Sequence, residues 1–271
     1  MPDHDFPELD RNDWKTWGPY VQLSSWWPIE NRDKDEFHKG DYWGNFVPQI
    51  PQDMILRFTK PFDVVLDPMM GGGTTGIEAT LMGRHFIGAE LVPEVFEKAA
   101  EVIQRAGQSV NSDAHGLENC LHLGDCRDLL DTLDPESVNL TMFHPPYMGI
   151  IKFSEDPKCW SNMDYGRFMQ QFCNVAHATF RATVPDGHLC LVMGDIWDGG
   201  TSSLRPLAFE CMNQLRVAGW QLRSTMVKNF GHTRGKARDR HLWESRCLKS
   251  GVTMLDSEFV FVMRKPAGKK R

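Results

Sequence analysis

Val64-Val65-Leu66-Asp67-Pro68-Met69-Met70-Gly71-Gly72-Gly73-Thr74-Thr75 joins a β-branched run, a glycine-rich turn and the start of a helical pattern. A strand–turn–helix unit of this kind lets backbone approach a nucleotide-like ligand where side chains would obstruct it. Outward from it, strands and helices alternate. Residues 51–59 are helical in period and start at a proline. Residues 74–82 read as a helix closed by Gly83, and 86–89 as a strand ending at Glu90. A helix over 93–105 and a short strand over 120–123 lead to Gly124-Asp125. The strand 137–143 delivers His144-Pro145-Pro146-Tyr147, a turn whose prolines hold a polar side chain and an aromatic ring side by side. A helix over 165–183, a strand over 189–193, a helix over 204–218 and a closing strand pair, 221–228 and 258–264, complete the pattern. The expectation is an α/β fold: a mostly parallel seven-stranded sheet with helices on both faces.

The composition permits this. With 271 residues, 41% hydrophobic and 24% charged, the chain can bury one sizeable core. No apolar run approaches the ~20 residues that span a bilayer, and the start Met1-Pro2-Asp3-His4-Asp5 has no signal-peptide character. No membrane association and a cytoplasmic setting are expected. Seven cysteines, scattered and without a Cys-x-x-Cys pair, read as buried thiols rather than a disulfide framework or metal site.

The formal charge of −6 argues against indiscriminate binding of nucleic acid. The charge is uneven, however. Between Arg223 and Lys249 eight basic residues face two acidic ones, with Arg234, Lys236, Arg238 and Arg240 closest together. Residues 229–257 therefore read as a basic loop, either a nucleic-acid-facing edge or a solvated connection. Residues 1–45 form an aromatic-rich extension with Trp14, Trp17, Trp26, Trp27 and Trp43, too aromatic for a disordered tail. The main domain is expected over 46–265, with a basic tail over 266–271.

In open sheets of this class, ligands bind beyond the carboxyl ends of strands. Asp67, Glu90, Asp125 and His144 all fall at such ends. A carboxylate at Glu90 suits a ribose diol, one at Asp125 an adenine amino group, and the amino end of the helix at Thr74 an anionic ligand group. Each alone has an ordinary reading as a turn, a surface acid or a helix cap.

The glycine-rich turn followed by His144-Pro145-Pro146-Tyr147 resembles the motif pair of the amino-group DNA methyltransferases. The likeness is close over 44–91, in Gly44-Asn45-Phe46-Val47-Pro48, in Asp63 to Pro68, and in Gly83 to Glu90. It implies a single Rossmann-like methyltransferase domain that moves a methyl group from S-adenosylmethionine to adenine N6 or cytosine N4 in DNA. By the resemblance Phe46, Val47 and Pro48 wall the cofactor, and Asp67, Gly71 and Gly73 line it. Pro68, Met69, Thr74 and Thr75 belong to the same turn, with Leu91 beside Glu90 and Cys126 beside Asp125. His144, Pro145, Pro146 and Tyr147 are the catalytic candidates, the ring of Tyr147 stacking an extruded base. The family usually begins this motif with Asp, Asn or Ser, so His144 departs from it. A neutral imidazole still accepts one hydrogen bond, whereas a charged one only donates. Lys152 and Phe153 are candidates for DNA contact, and no metal is implied. An RNA amino-methyltransferase, or an inactive cofactor- or DNA-binding subunit, stays open as an alternative. A homodimer or a cognate restriction or defence partner is compatible with either.

Overall fold

The computed structural model describes residues 7–39, 44–45, 47–110, 116–229 and 240–268. Phe46, Trp43, Arg234, Lys236 and Arg238 lie outside the described residues, and of Arg240 only the backbone is described. The lead contributes a single-turn helix α1 (Trp14–Trp17) and a two-residue strand β1 (Trp26–Trp27). Next come α2 (Gln49–Phe58), β2 (Val64–Asp67), α3 (Thr74–Leu81), β3 (His85–Glu90), α4 (Pro93–Ser109) and β4 (Asn119–Leu123). α5 (Cys126–Thr132), β5 (Val138–Phe143), α6 (Tyr165–Ala182) and β6 (Thr183–Met193) form the middle. A small hairpin of β7 (Ile196–Asp198) and β8 (Ser203–Arg205) precedes α7 (Leu207–Val217). The chain closes with β9 (Gln221–Asn229), α8 (Arg240–Ser250) and β10 (Ser257–Arg264).

Among the described residues, eight strands form one sheet in the order β1-β9-β10-β6-β5-β2-β3-β4. Its pairs are parallel except those of β10, which runs antiparallel to both β6 and β9. The expected seven strands become eight because Trp26 and Trp27 pair with Val227 and Lys228 at the edge of β9. The lead is therefore joined to the domain rather than appended to it. The basic stretch 229–257, expected as a loop, contains the eleven-residue helix α8. Its charges and single glycines hide a helical segment with no marked apolar stripe.

Strand residues alternate between two cores, as a sheet covered on both faces requires. Leu66, Phe143, Leu189 and Leu191 pack with Leu129 of α5, Phe168 and Phe172 of α6 and Leu207 of α7. Val65, Leu140, Cys190 and Val192 face Ile50 and Met54 of α2, Ile77 of α3 and Ile103 of α4. Trp17, Trp27 and Ile29 join that second core, which explains these two tryptophans of the lead as packing residues, whereas Trp26 is exposed.

The order of strands sets the position of the site. From β2 the chain moves outward through β3 to β4, then returns to β5 on the other side of β2. At such a reversal the loops after two neighbouring strands diverge and leave a crevice at their carboxyl ends. Leu66 is paired with Thr141, so the glycine-rich turn and the His-Pro-Pro-Tyr turn leave the sheet side by side.

Candidate active site

A cavity of about 1390 Å³ occupies that crevice. Pro68, Met69, Gly71 and Thr74 form its floor at one end, with Glu90 and Leu91 after β3 and Asp125 and Cys126 at the start of α5. His144 to Tyr147 form the other end, and Val47 and Phe153 complete the wall.

The turn after β2 is shaped by a carboxylate behind the lining. Asp67 accepts hydrogen bonds from Thr75 Oγ1 at 2.6 Å and from the Met69 N–H at 3.1 Å. Burial pushes its carboxyl up to about 6 against the pull of those donors. Gly71 and Gly73 have φ of 51° and 81°, which other residues adopt at a cost. Gly73 is the N-cap of α3, and a Cβ there would meet Ile103 and Ala99 of α4 rather than the cavity. The motif leads one to expect Asp67, Gly73, Thr75 and Pro48 at the ligand surface, but they stand behind it. They position the turn and the start of α2 instead.

Glu90 is buried at the end of β3 and accepts from the Val92 N–H at 2.8 Å. Burial raises its carboxyl, with backbone N–H groups opposing. Asp125 caps α5 through the Arg127 N–H at 3.0 Å and is also gripped by the Arg127 guanidinium. Although burial opposes it, Arg127 holds the Asp125 carboxyl below its usual range. The ordinary helix-cap reading of Asp125 is thus realised in a residue that also lines the cavity. Burial pushes the Cys126 thiol far up, so it acts as an inert wall.

The catalytic candidates meet two residues that sequence reasoning missed. Tyr147 donates its hydroxyl proton to Glu258 Oε1 at 3.0 Å and accepts the Gly194 N–H at 2.7 Å. His144 Nε2 stands 3.7 Å from Glu258 Oε1, and Lys228 Nζ lies 2.5 Å from Glu258 Oε2. Burial alone would raise the Glu258 carboxyl, but the Lys228 ammonium and then His144 hold it well below the usual carboxylate range. Lys228 and Glu258 are register partners on β9 and β10. Glu258 escapes a reading of the sequence because β10 is antiparallel, so its first residues, not its last, reach the edge where the parallel strands end. The available signal is a pair of opposite charges at the matching ends of two apolar strands.

Lys152 lies outside the cavity, paired with Glu155 at 2.5 Å on the surface, whereas Phe153 is half-buried in the wall. The lead supplies Ile29 to Arg32 and Lys34 as a further wall, and the β7–β8 hairpin places Trp197, 44% exposed, at the mouth. Among the described residues, no group of His, Cys, Asp and Glu is placed to hold a metal ion, and no helix is long and apolar enough to cross a membrane.

The strand order and the crevice are those of a Rossmann-like α/β domain. A SAM-dependent methyltransferase structure from Methanosarcina mazei superposes with a TM-score of 0.51 at 13% identity, covering 79% of this chain and 98% of that one. In sequence, residues 7–101 match the N6/N4 methyltransferase family model, described as DNA methylase. The type II methyltransferase M.BglI of Bacillus subtilis is 28% identical over 115 residues, 42% of this chain and 31% of that protein. M.Cfr9I of Citrobacter freundii, also a type II methyltransferase, is 36% identical over 72 residues, 27% of this chain and 23% of that protein. Over these residues the chain is similar to the amino-group DNA methyltransferases. The matches span less than a third of either relative, and His144-Pro145-Pro146-Tyr147 lies beyond the residues that the family model covers.

Proposed function

We propose that this protein transfers a methyl group from S-adenosylmethionine to the exocyclic amine of adenine (N6) or cytosine (N4) in DNA. The observation that carries the reading is the continuity of one cavity from Gly71 and Glu90 to His144 and Tyr147. Its volume of about 1390 Å³ exceeds the ~300–1,000 Å³ of a site for one small ligand, so a cofactor and an extruded base fit together.

The residues present suit S-adenosylmethionine. Glu90 offers a buried carboxylate to a ribose diol, the amides at the start of α3 favour an anionic carboxylate, and Leu91 and Cys126 give an apolar wall for adenine. When bound, the cofactor supplies an electrophilic methyl group. At the other end, an exocyclic base amine is a weak nucleophile because its lone pair is delocalised into the ring. Acceptors around it favour the tetrahedral nitrogen that reacts. Neutral His144 and the Pro145 carbonyl are those acceptors. Tyr147, pinned through its hydroxyl by Gly194 and Glu258, keeps its ring fixed for stacking.

The test is transfer of a labelled methyl group by purified protein to duplex DNA, single-stranded DNA and RNA, followed by mass spectrometry of nucleosides. N6-methyladenine or N4-methylcytosine from DNA supports the reading. Label on RNA alone moves the substrate to RNA. No transfer, with cofactor bound, makes the chain a binding subunit.

A further inference from the structure

We propose that a second pocket, beside the catalytic turn, takes the edge of a guanine flanking the methylated base, with Arg205 as the residue that reads it. This deepens the methyl-transfer reading above and rests on it for the identity of the substrate. The pocket, of about 290 Å³, lies between Met148 to Ile150 and the β7–β8 hairpin. Both walls continue segments that hold Tyr147. Met148 follows it in the chain, and Gly194, which donates its N–H to the Tyr147 hydroxyl, leads into the hairpin. Ile150, Ile196 and Trp197 line this pocket and the large cavity alike, so the two share a rim. Neighbouring bases are about 3.4 Å apart along a strand, so a strand that sends one base into the cavity carries the next across that rim. The pocket falls below the ~300–1,000 Å³ of a site for a whole small ligand, which suits the edge of one base.

Arg205 lines the pocket, and its guanidinium is held on two sides. Cζ lies 4.0 Å from the centroid of the Tyr165 ring, and Nη2 donates to Asp198 Oδ2 at 2.6 Å. Both holders are themselves fixed. Tyr165 donates its hydroxyl to Glu210 Oε2 at 3.0 Å, and Asp198 Oδ1 accepts the Gly200 N–H at 3.0 Å. A guanidinium carries five N–H groups in a rigid plane, and these contacts do not exhaust them. With 26% of its side chain exposed, Arg205 can present the remaining donors to a ligand. Guanine offers a forked donor two adjacent acceptors, O6 and N7. Adenine and cytosine set an amino group against it, and thymine offers a single acceptor beside a methyl group. The hairpin thus supplies a sequence-reading element apart from the basic stretch 229–257.

Two profiles from one pool of randomised duplex DNA test this. Molecules bound in the presence of S-adenosylhomocysteine are sequenced, and positions methylated in the presence of S-adenosylmethionine are mapped. Guanine should be favoured at a position flanking the methylated base by roughly 5- to 150-fold, the range of one good bidentate contact. Replacing that guanine by 7-deazaguanine, which lacks the N7 acceptor, should lower the rate without any change to the protein. Arg205→Gln, and Arg205→Lys, which keeps the charge but loses the fork, should erase the preference at that position alone, with cofactor affinity retained by calorimetry. No guanine preference at either flanking position in the wild type overturns the proposal. So does an unaltered profile in a folded variant with a lower Tm, which makes Arg205 a staple between the hairpin and α6. A uniform loss of affinity across sequences, with the salt slope reduced by about 1, makes it a phosphate contact and overturns the proposal too. If no nucleic acid is methylated yet the bound pool keeps a guanine preference that Arg205→Lys erases, the pocket stands and the methyl-transfer reading falls.

Discussion

Gly73→Ala should destabilise the fold while leaving cofactor affinity nearly intact. Gly73 has φ of 81°, in the left-handed region, and a Cβ on it would lie 3.1 Å from Ile103 Cδ1 and 3.2 Å from Ala99 Cβ. Forcing an L-residue into that region costs about 1–2 kcal/mol. Crowding a methyl against α4 adds about 1–3 kcal/mol, since both neighbours are buried in a packed core. The entropy that alanine removes from the unfolded chain returns about 0.4–1 kcal/mol. The net is roughly 1–4.6 kcal/mol, which at about 2–4 °C per kcal/mol lowers Tm by roughly 2–18 °C. Thermal melts followed by calorimetric titration well below the lowered Tm would measure both quantities. Glu90→Gln is the contrasting variant. Loss of a charged hydrogen bond worth about 1.5–3 kcal/mol should weaken S-adenosylmethionine roughly 10- to 100-fold with little change in Tm. An unchanged Tm together with abolished cofactor binding in Gly73→Ala would show that the position faces the ligand after all.

Stability should fall as the pH rises towards 8 through Glu78. Its burial beside Asp35 and Asp33 pushes its carboxyl up to about 8, from an ordinary value near 4.5. With a folded-state value above the unfolded one, the stabilisation is complete below the unfolded value and is lost on passing the folded one. His38 is the docking partner, with Nδ1 3.0 Å from Asp35 and Nε2 3.4 Å from Glu78, so a protonated Glu78 can donate to it. Glu78→Gln should flatten the dependence of Tm on pH between 5 and 9; a slope equal to the wild type's would exclude Glu78 as its source. Trp197→Ala, at the exposed mouth of the cavity, should weaken DNA binding by about 1–3 kcal/mol in anisotropy titrations without altering cofactor affinity, and equal DNA affinity would remove it from the interface. Neutralising Arg234, Lys236, Arg238 and Arg240 together should flatten the salt dependence of DNA binding by about 0.9 in log–log slope for each phosphate the variant no longer neutralises, whereas an unaltered slope would make the stretch a solvated connection.

The parallel part of the fold is legible because each strand there is short, apolar and followed by a turn with its own chemistry. Val64–Asp67 and Val138–Phe143 both announce themselves that way, and both end at the cavity. α5 is hidden because its seven residues, opened by Asp125, carry too little periodicity to separate them from a loop. The motif puts Gly73 and Asp67 at the ligand because it records which residues make a turn, not which way each one faces. That direction is set by α4 packing against α3, a contact between segments far apart in the chain. For the same reason a sequence rule about carboxyl ends of strands can find Glu90 but not Glu258. The rule assumes a strand direction that β10 reverses.

The tryptophan-rich lead then acquires a role that neither its composition nor its lack of motifs suggests. β1 is paired with β9 so that Trp27 sits opposite Lys228, the counterion of Glu258. Two residues on, the Ile29 N–H donates to Asn229 Oδ1 at 2.7 Å, and the chain continues as the cavity wall through Ile29 to Arg32 and Lys34. Gly72, in the turn at the other end of the cavity, donates its N–H to Asn45 Oδ1 at 3.3 Å. The lead is therefore bonded at Trp27 and Ile29 to the strand that carries Lys228 and at Asn45 to the glycine-rich turn. The burial of Trp17 and Trp27 supplies the apolar contact that holds it there against the entropy of ordering an irregular chain. The two halves of the site, which the strand order already sets side by side, are tied a second time across the top by residues that carry no chemistry of their own.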